Sequence, residues 1–434
     1  MDPYNIGLLG VVAMIVLVFV GVRVYIAAAV VGLLGLVSII GWDAGAGMAG
    51  TIPHSKSVTY TLSVLPMFIL IGFLAFHAGI TEALFDAGRK WLGWVPGGLA
   101  VATVMAATGF AAVSGASTAT AAVFARTAIP DMLKFGYDRK LAAGVVAAGG
   151  TLATLIPPSA LLVIYAIIVE ESVGALLVAG FLPGLVSALI YVVMIILMCR
   201  FKPSLGRPIG GFTWSQRVRS LPGTFPIFAV VVIIFTAMYY GWATPTEAGA
   251  LGAFVVFILA LFKGMRWKNL NEALLETAKL TVMIFSIIWG VLMFVRFLGF
   301  AGLPEAFADW VIHLPLPPLL IMIGILMFYA VLGMFMDAIG MLLLTLPIVY
   351  PAVIGLGYDP IWFGIIVVKM AEICLITPPI GLNCFVVNGV RPDIPLTDVF
   401  RGILPFFIAD VVTIAVLLAF PDIVLWLPRQ MNMG

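Results

Sequence analysis

Residues 150–166 read GTLATLIPPSALLVIYA. The stretch is apolar enough to lie in a bilayer, yet Pro157 and Pro158 interrupt it. A proline removes a backbone donor and crowds the preceding turn, costing ~3 kcal/mol inside a helix. Lipid offers the freed groups no partner, so such a break is tolerated only against protein or a water-filled cavity. Residues 376–383, ITPPIGLN, repeat the interruption at Pro378 and Pro379. Each pair taken alone reads equally well as a proline kink or as a broken helix. Two at matching positions favour breaks that serve a site.

The surrounding chain sets the class. Of its 434 residues, 63% are hydrophobic and 10% charged, and the mean hydropathy is +1.21. A soluble domain carries about 25% charged residues. Here the apolar excess comes in runs near the ~20 residues that cross a hydrocarbon core, without the ~10-residue alternating segments of a bacterial barrel. An all-α polytopic membrane protein is expected. The net charge of +2, with no basic-aromatic patch, gives nucleic acid no foothold. Cys199, Cys374 and Cys384 have no CxxC spacing and read as small buried hydrophobes. His54, His77 and His313 form no HExxH, Ser114 lies in no GxSxG frame, and no GxxxxGK[ST] loop occurs. Hydrolase chemistry and ATP hydrolysis are therefore unsupported, and no catalytic residue or cofactor is expected. The N-terminus lacks the positive region of a cleavable signal, so its apolar run reads as a retained span.

Full spans are expected near 6–22, 24–41, 58–76, 141–169, 173–199, 222–241, 245–262, 278–298, 361–390 and 402–427. The Gly-, Ala- and Pro-rich regions 98–125 and 317–347 read as re-entrant hairpins. Arg200, Lys202, Arg207, Arg217 and Arg219 crowd one loop and Lys263, Arg266 and Lys268 another, placing both on the cytoplasmic side. Counting spans outward puts both termini outside, in the periplasm if the cell has one. The loop at 200–221 divides the chain into 1–221 and 222–434. Pro130, Gly136, Tyr137, Asp138, Pro157 and Pro158 fall on Pro351, Gly357, Tyr358, Asp359, Pro378 and Pro379 at one offset (378 − 157 = 221). AGITEAL at 78–84 and AGLPEAF at 301–307 extend the match. The first half holds scaffold spans over 6–76, hairpin 98–125 and broken helix 141–169. The second holds scaffold spans over 222–298, hairpin 317–347 and broken helix 361–390. With five spans each, the halves form an inverted repeat.

Inverted repeats with paired broken helices are a recurring build of secondary transporters, and the freed carbonyls and amides can hold cations or anionic groups. Each break is expected to face a hairpin tip. The first tip, AAVSGASTATAA at 111–122, offers Ser114, Ser117, Thr118 and Thr120, with Gly115 permitting close approach. Such hard oxygens suit a weakly bound monovalent cation, while the alanines also serve small-residue packing. The second, GMFMDAIGMLLLTLP at 333–347, carries Asp337 in an apolar run, where a charge costs roughly 2.5–3.5 kcal/mol at mid-bilayer. It reads as functional, or as a charge at a turn near water. Lys369 and Glu372, three apart, can pair on one helix face. Arg296 either snorkels to the interface or draws an anionic substrate inward.

At these residues the chain resembles the large membrane subunit of tripartite ATP-independent periplasmic (TRAP) transporters. The matching pieces are SGAST, IPDMLKFGYD, LIPPSALLVIYA, AGFLPGL, GMFMDAIGMLLLTLPI, GYDPIWFGI, EICLITPPIGLN and FRGILPFFIAD, in order from about 110 to 410. SGAST departs from the SGSS-like tip of many relatives. The resemblance implies the ion-transporter superfamily fold and an elevator-type, sodium-coupled importer of a small organic acid in the bacterial inner membrane. It implies two partners: a small membrane subunit of about four spans, expected here as a separate polypeptide, and a periplasmic substrate-binding protein. Sodium is expected at Ser114, Gly115, Ser117 and Thr118 with Ile156, Pro157, Pro158 and Ser159, and at Asp337 with Thr377, Pro378, Pro379 and Asn383. Ser117, Ser159, Asn383 and Arg296 are the candidate substrate contacts. A stand-alone sodium/carboxylate symporter of the same superfamily is the alternative, and an ion channel fits two symmetry-related closed sites poorly.

Overall fold

The computed structural model describes residues 2–431, and every regular element among them is helical. The chain opens with α1 (Pro3–Phe19), α2 (Val24–Ile40) and α3 (Trp42–Ser57), then α4 (Val64–His77) and α5 (Ile80–Leu92). A hairpin of α6 (Gly98–Ser114) and α7 (Ser117–Lys134) follows. Next come α8 (Arg139–Thr151), α9 (Ala160–Val169) and α10 (Val173–Phe201). The short α11 (Trp214–Ser220) leads to α12 (Phe225–Tyr239), α13 (Pro245–Phe262), α14 (Trp267–Phe300) and α15 (Leu303–Ile312). A second hairpin joins α16 (Pro318–Gly333) to α17 (Ala338–Gly355). The chain then runs through α18 (Pro360–Cys374), α19 (Leu382–Val390), α20 (Leu396–Ala419) and α21 (Asp422–Gln430).

Five helices, α10, α13, α14, α17 and α20, are each long and apolar enough to cross a membrane unbroken. Others expected as spans are delivered in shorter apolar pieces, among them α1, α2 and α9. Both hairpins reach further than the sequence implies, because Pro130, Pro347 and Pro351 are carried inside their second arms. The span expected over 402–427 divides into α20 and α21. Residues 42–57 and 299–316, which lie outside the expected spans and hairpins, contain α3 and α15. With α5 and α21, these helices carry charges that suit a membrane surface better than its core.

Local structure recurs in the two halves. Asp138 caps α8 by accepting from Lys140 N and Leu141 N, and Asp359 caps α18 by accepting from Ile361 N and Trp362 N. Gly136 and Gly357, which precede these caps by two residues, take φ +76° and +86°. Both Pro-Pro bonds, 157–158 and 378–379, are cis.

Small residues bring the main helices together. A methyl on Gly290 of α14 would lie 2.2 Å from Tyr25 O of α2, and one on Gly402 of α20 would lie 2.0 Å from Lys140 O of α8. Where lipid removes the usual hydrophobic drive, such close backbone approach supplies the packing energy. Helices α2 and α4 pack on α14, while α8 packs on α7 and α20. Between these groups lie the hairpin tips and the two breaks.

Candidate functional site

The first tip turns on Gly115, which ends α6 in the left-handed region at φ +57°. Glycine adopts this conformation without a side-chain penalty, and here the backbone also passes close to a neighbour. A methyl on Gly115 would stand 2.4 Å from Pro158 O, so the first tip does meet the first break. On the other side a methyl on Gly72 of α4 would lie 2.6 Å from Ser114 O. The Ser114 hydroxyl is 2.9 Å from Thr120 Oγ1, which itself donates to Ala116 O at 2.9 Å.

Past the break, Ser159 caps α9 by accepting from Leu162 N at 3.3 Å and donates to Thr154 O. In the second half Asp337 caps α17, accepting from Gly340 N at 3.1 Å. It is exposed, as a charge at a turn near water would be. Gly381, at φ +44°, starts α19. The amide of the fully buried Asn383 donates to Ser117 Oγ at 2.7 Å and to Ala147 O at 3.0 Å, and Asn383 Oδ1 has no partner among the described residues.

These pieces border one cavity of about 210 Å³. A single water needs about 10–15 Å³ of such space, so the cavity has room for a solute. Its walls include Ser114–Thr118, Thr154, Pro158, Asp337–Ile339, Leu375 and Leu382. The facing wall comes from α4 (Leu65, Phe68, Ile69) and α14 (Leu280, Met283, Ile284). Asp337 is the one charged residue among the described lining residues. The N-terminal ends of α7, α9, α17 and α19 and the C-terminal ends of α6 and α18 come to or next to it. Helix N-termini favour anions and C-termini favour cations, so one cavity has surfaces for both.

The expected site residues divide by position. Ser114, Gly115, Ser117, Thr118, Pro158 and Asp337 line the cavity. Asn383 backs it through Ser117 rather than through Asp337, tying the second broken helix to the first hairpin. Ser159 is buried behind it, and Ile156 packs against Gly184 of α10. Pro157 lines a separate small cavity with Phe68 and Leu177. The Thr377 hydroxyl, in the break, donates to Ile373 O in the last turn of α18, and Pro378 and Pro379 are exposed. Arg296 is exposed and does not line the cavity. No group of three or more His, Cys, Asp or Glu residues suited to a metal occurs among the described residues, and the three cysteines are free and buried. Sequence reasoning missed the α4 and α14 wall, because apolar residues on uniformly apolar spans give no signal of which side faces a cavity.

Residues 11–423 match the family described as "Tripartite ATP-independent periplasmic transporter, DctM component". The chain is 38% identical over 380 residues to a C4-dicarboxylate TRAP transporter large permease protein of Pseudomonas aeruginosa, covering 86% of this chain and 88% of that one. It is 31% identical to a sialic acid TRAP transporter large permease protein of Vibrio cholerae, covering 85% and 86%. The fold is similar to that of the Alcanivorax borkumensis YdaH transporter, with a TM-score of 0.60 at 13% identity over 91% of each chain. This chain belongs to the DctM family of TRAP transporter large permeases.

Proposed function

We propose that this chain is the transporting subunit of a sodium-driven importer of a small organic acid, handed over by a periplasmic binding protein. The observation that carries the reading is the single cavity bordered by both hairpin tips and both broken helices, and closed on its far side by α4 and α14. Sodium sits at two places by the cavity: Ser114–Thr118 with 156–159, and Asp337 with 377–383. The acid is held next to them, its negative charge met by helix N-termini and by the bound cations. Relatives named for C4-dicarboxylates and sialic acid support an organic anion as cargo.

The halves form an inverted repeat, supported by the shared caps, positive-φ glycines and cis prolines. The hairpins with α8, α9, α18 and α19, and α10 and α20 packed on them, move as one body against a scaffold that includes α2, α4 and α14, carrying the cavity across the membrane as an elevator does. The chain sits in the bacterial inner membrane with both termini periplasmic, as its Lys- and Arg-rich loops indicate. A small membrane subunit of about four spans completes the scaffold.

Sodium coupling is tested in vesicles holding the assembled complex. Replacing sodium by potassium or choline abolishes uptake. Full uptake on a proton gradient alone refutes the reading.

A further inference from the structure

Lys369, Glu372 and Asp410 lie in the helix core with no exposed surface. The Lys369 ammonium reaches three oxygens: Asp410 Oδ1 at 2.7 Å, Ser187 Oγ at 2.7 Å and Glu372 Oε1 at 3.0 Å. Glu372 Oε1 also accepts from the Thr151 hydroxyl at 2.9 Å, and Asp410 Oδ1 from the Tyr191 hydroxyl at 2.7 Å. One oxygen of each carboxyl is thus doubly bonded to donors. The other oxygens, Glu372 Oε2 and Asp410 Oδ2, are buried with no hydrogen-bond partner among the described residues.

The charges do not balance. One ammonium faces two carboxyl groups, and the neighbouring helices bring no second cation. Tyr191 of α10 is itself an acid. Tyr165 of α9 donates to Pro360 O, Tyr350 of α17 to Glu171, and Tyr329 of α16 accepts from Thr345. On α20, Asp398 pairs with Arg139 and Arg401 is exposed; on α21, Arg429 pairs with Asp422. A buried unpaired carboxylate is among the most costly groups a protein can hold, and it takes up a proton instead.

We propose that this cluster is a proton-binding site, with one proton resident on Glu372 Oε2 at neutral pH. Lys369 and Asp410 then form the ion pair and the cluster is neutral. The bonds to Asp410 are the shorter ones, as expected where the acceptor bears the charge. Binding is a simple addition: the carboxylate oxygen forms an O–H bond and no electron leaves the site. A metal cation at the same place would face the Lys369 ammonium, whereas a proton becomes part of a neutral acid.

The position gives the proton a purpose. Thr151 and Glu372 lie at the 221-residue offset (372 − 151) and join the two broken helices shortly before their proline pairs. A cluster left at net −1 would carry charge through the bilayer with them, and the resident proton removes it. This consequence rests on the proposed elevator, but the occupancy itself is read without transport.

The test is infrared spectroscopy of the purified full chain in lipid at neutral pH. Wild type shows the carbonyl band of a buried protonated acid, which shifts in deuterated water. Labelling glutamate carboxyls with carbon-13 moves it, and Glu372→Gln removes it while preserving fold, since an amide mimics the neutral acid. Should that variant fail to fold, the labelled wild type decides by itself. Absence of a band in wild type, a band moved only by labelled aspartate, or one surviving in folded Glu372→Gln overturns the proposal.

Discussion

Replacing Gly115 by alanine tests the contact on which the cavity is built. Two penalties act there. The left-handed backbone, φ +57°, costs a non-glycine residue roughly 1–2 kcal/mol. The new methyl also stands 2.4 Å from Pro158 O, where contacts below 3.0 Å essentially never occur, so tip and break must part by at least about 0.6 Å (3.0 − 2.4). Ligand distances at a cation site hold to within about 0.2 Å, so a cation shared between tip and break loses its ligands. Gly136→Ala is the control: its φ of +76° brings comparable backbone strain, and nothing lies within 4 Å of the added methyl. Both variants should unfold at lower temperature, Gly115→Ala by more because the clash adds to the backbone strain. Sodium-dependent uptake per folded molecule, measured in vesicles with the complete complex, should fall at least ~tenfold for Gly115→Ala, equivalent to ~1.4 kcal/mol, and stay near wild type for Gly136→Ala. Equal uptake by the two variants would show that the tip need not touch Pro158, and the reasoning fails.

Asp337→Asn keeps a residue equally good at capping α17, so expression and complex assembly should hold while uptake drops strongly; lost protein with normal uptake per surviving molecule would make Asp337 a structural cap alone. Asn383→Ala strands the Ser117 hydroxyl and the Ala147 carbonyl, which should cost about 1–3 kcal/mol, seen as a lower melting temperature, together with weakened uptake. An unchanged melting temperature would mean that this bridge between the halves contributes nothing. The chain reconstituted alone should take up no acid, and adding the small subunit and loaded binding protein should restore electrogenic uptake. With more than one sodium per monovalent acid, each extra charge then contributes ~2.3 kcal/mol per 100 mV. Uptake by the chain alone would favour a stand-alone symporter.

Much of the architecture is written in local sequence. Hydropathy identifies the membrane class because apolar runs of span length have no other stable home. The Pro-Pro pairs mark both breaks, since proline acts on its own turn whatever surrounds it. The offset of 221 pairs Asp138 with Asp359 and Gly136 with Gly357, and the structure gives each pair the same cap and the same backbone. The Lys369–Glu372 contact was equally legible, being set by helix spacing.

What the sequence could not supply is rotation and long-range company. Asn383, expected to share a sodium site with Asp337, bonds Ser117, 266 residues away, a partner the sequence did not point to. Arg296, one candidate for substrate, does not line the cavity, while plain residues such as Phe68 and Ile284 wall it. Asp410 and Tyr191 joined the Lys369 cluster unannounced. A helix apolar on all sides has no stripe to show which face turns inward. Only close packing of distant helices, through contacts such as Gly402 on Lys140, decides that, and with it which side chains share a site.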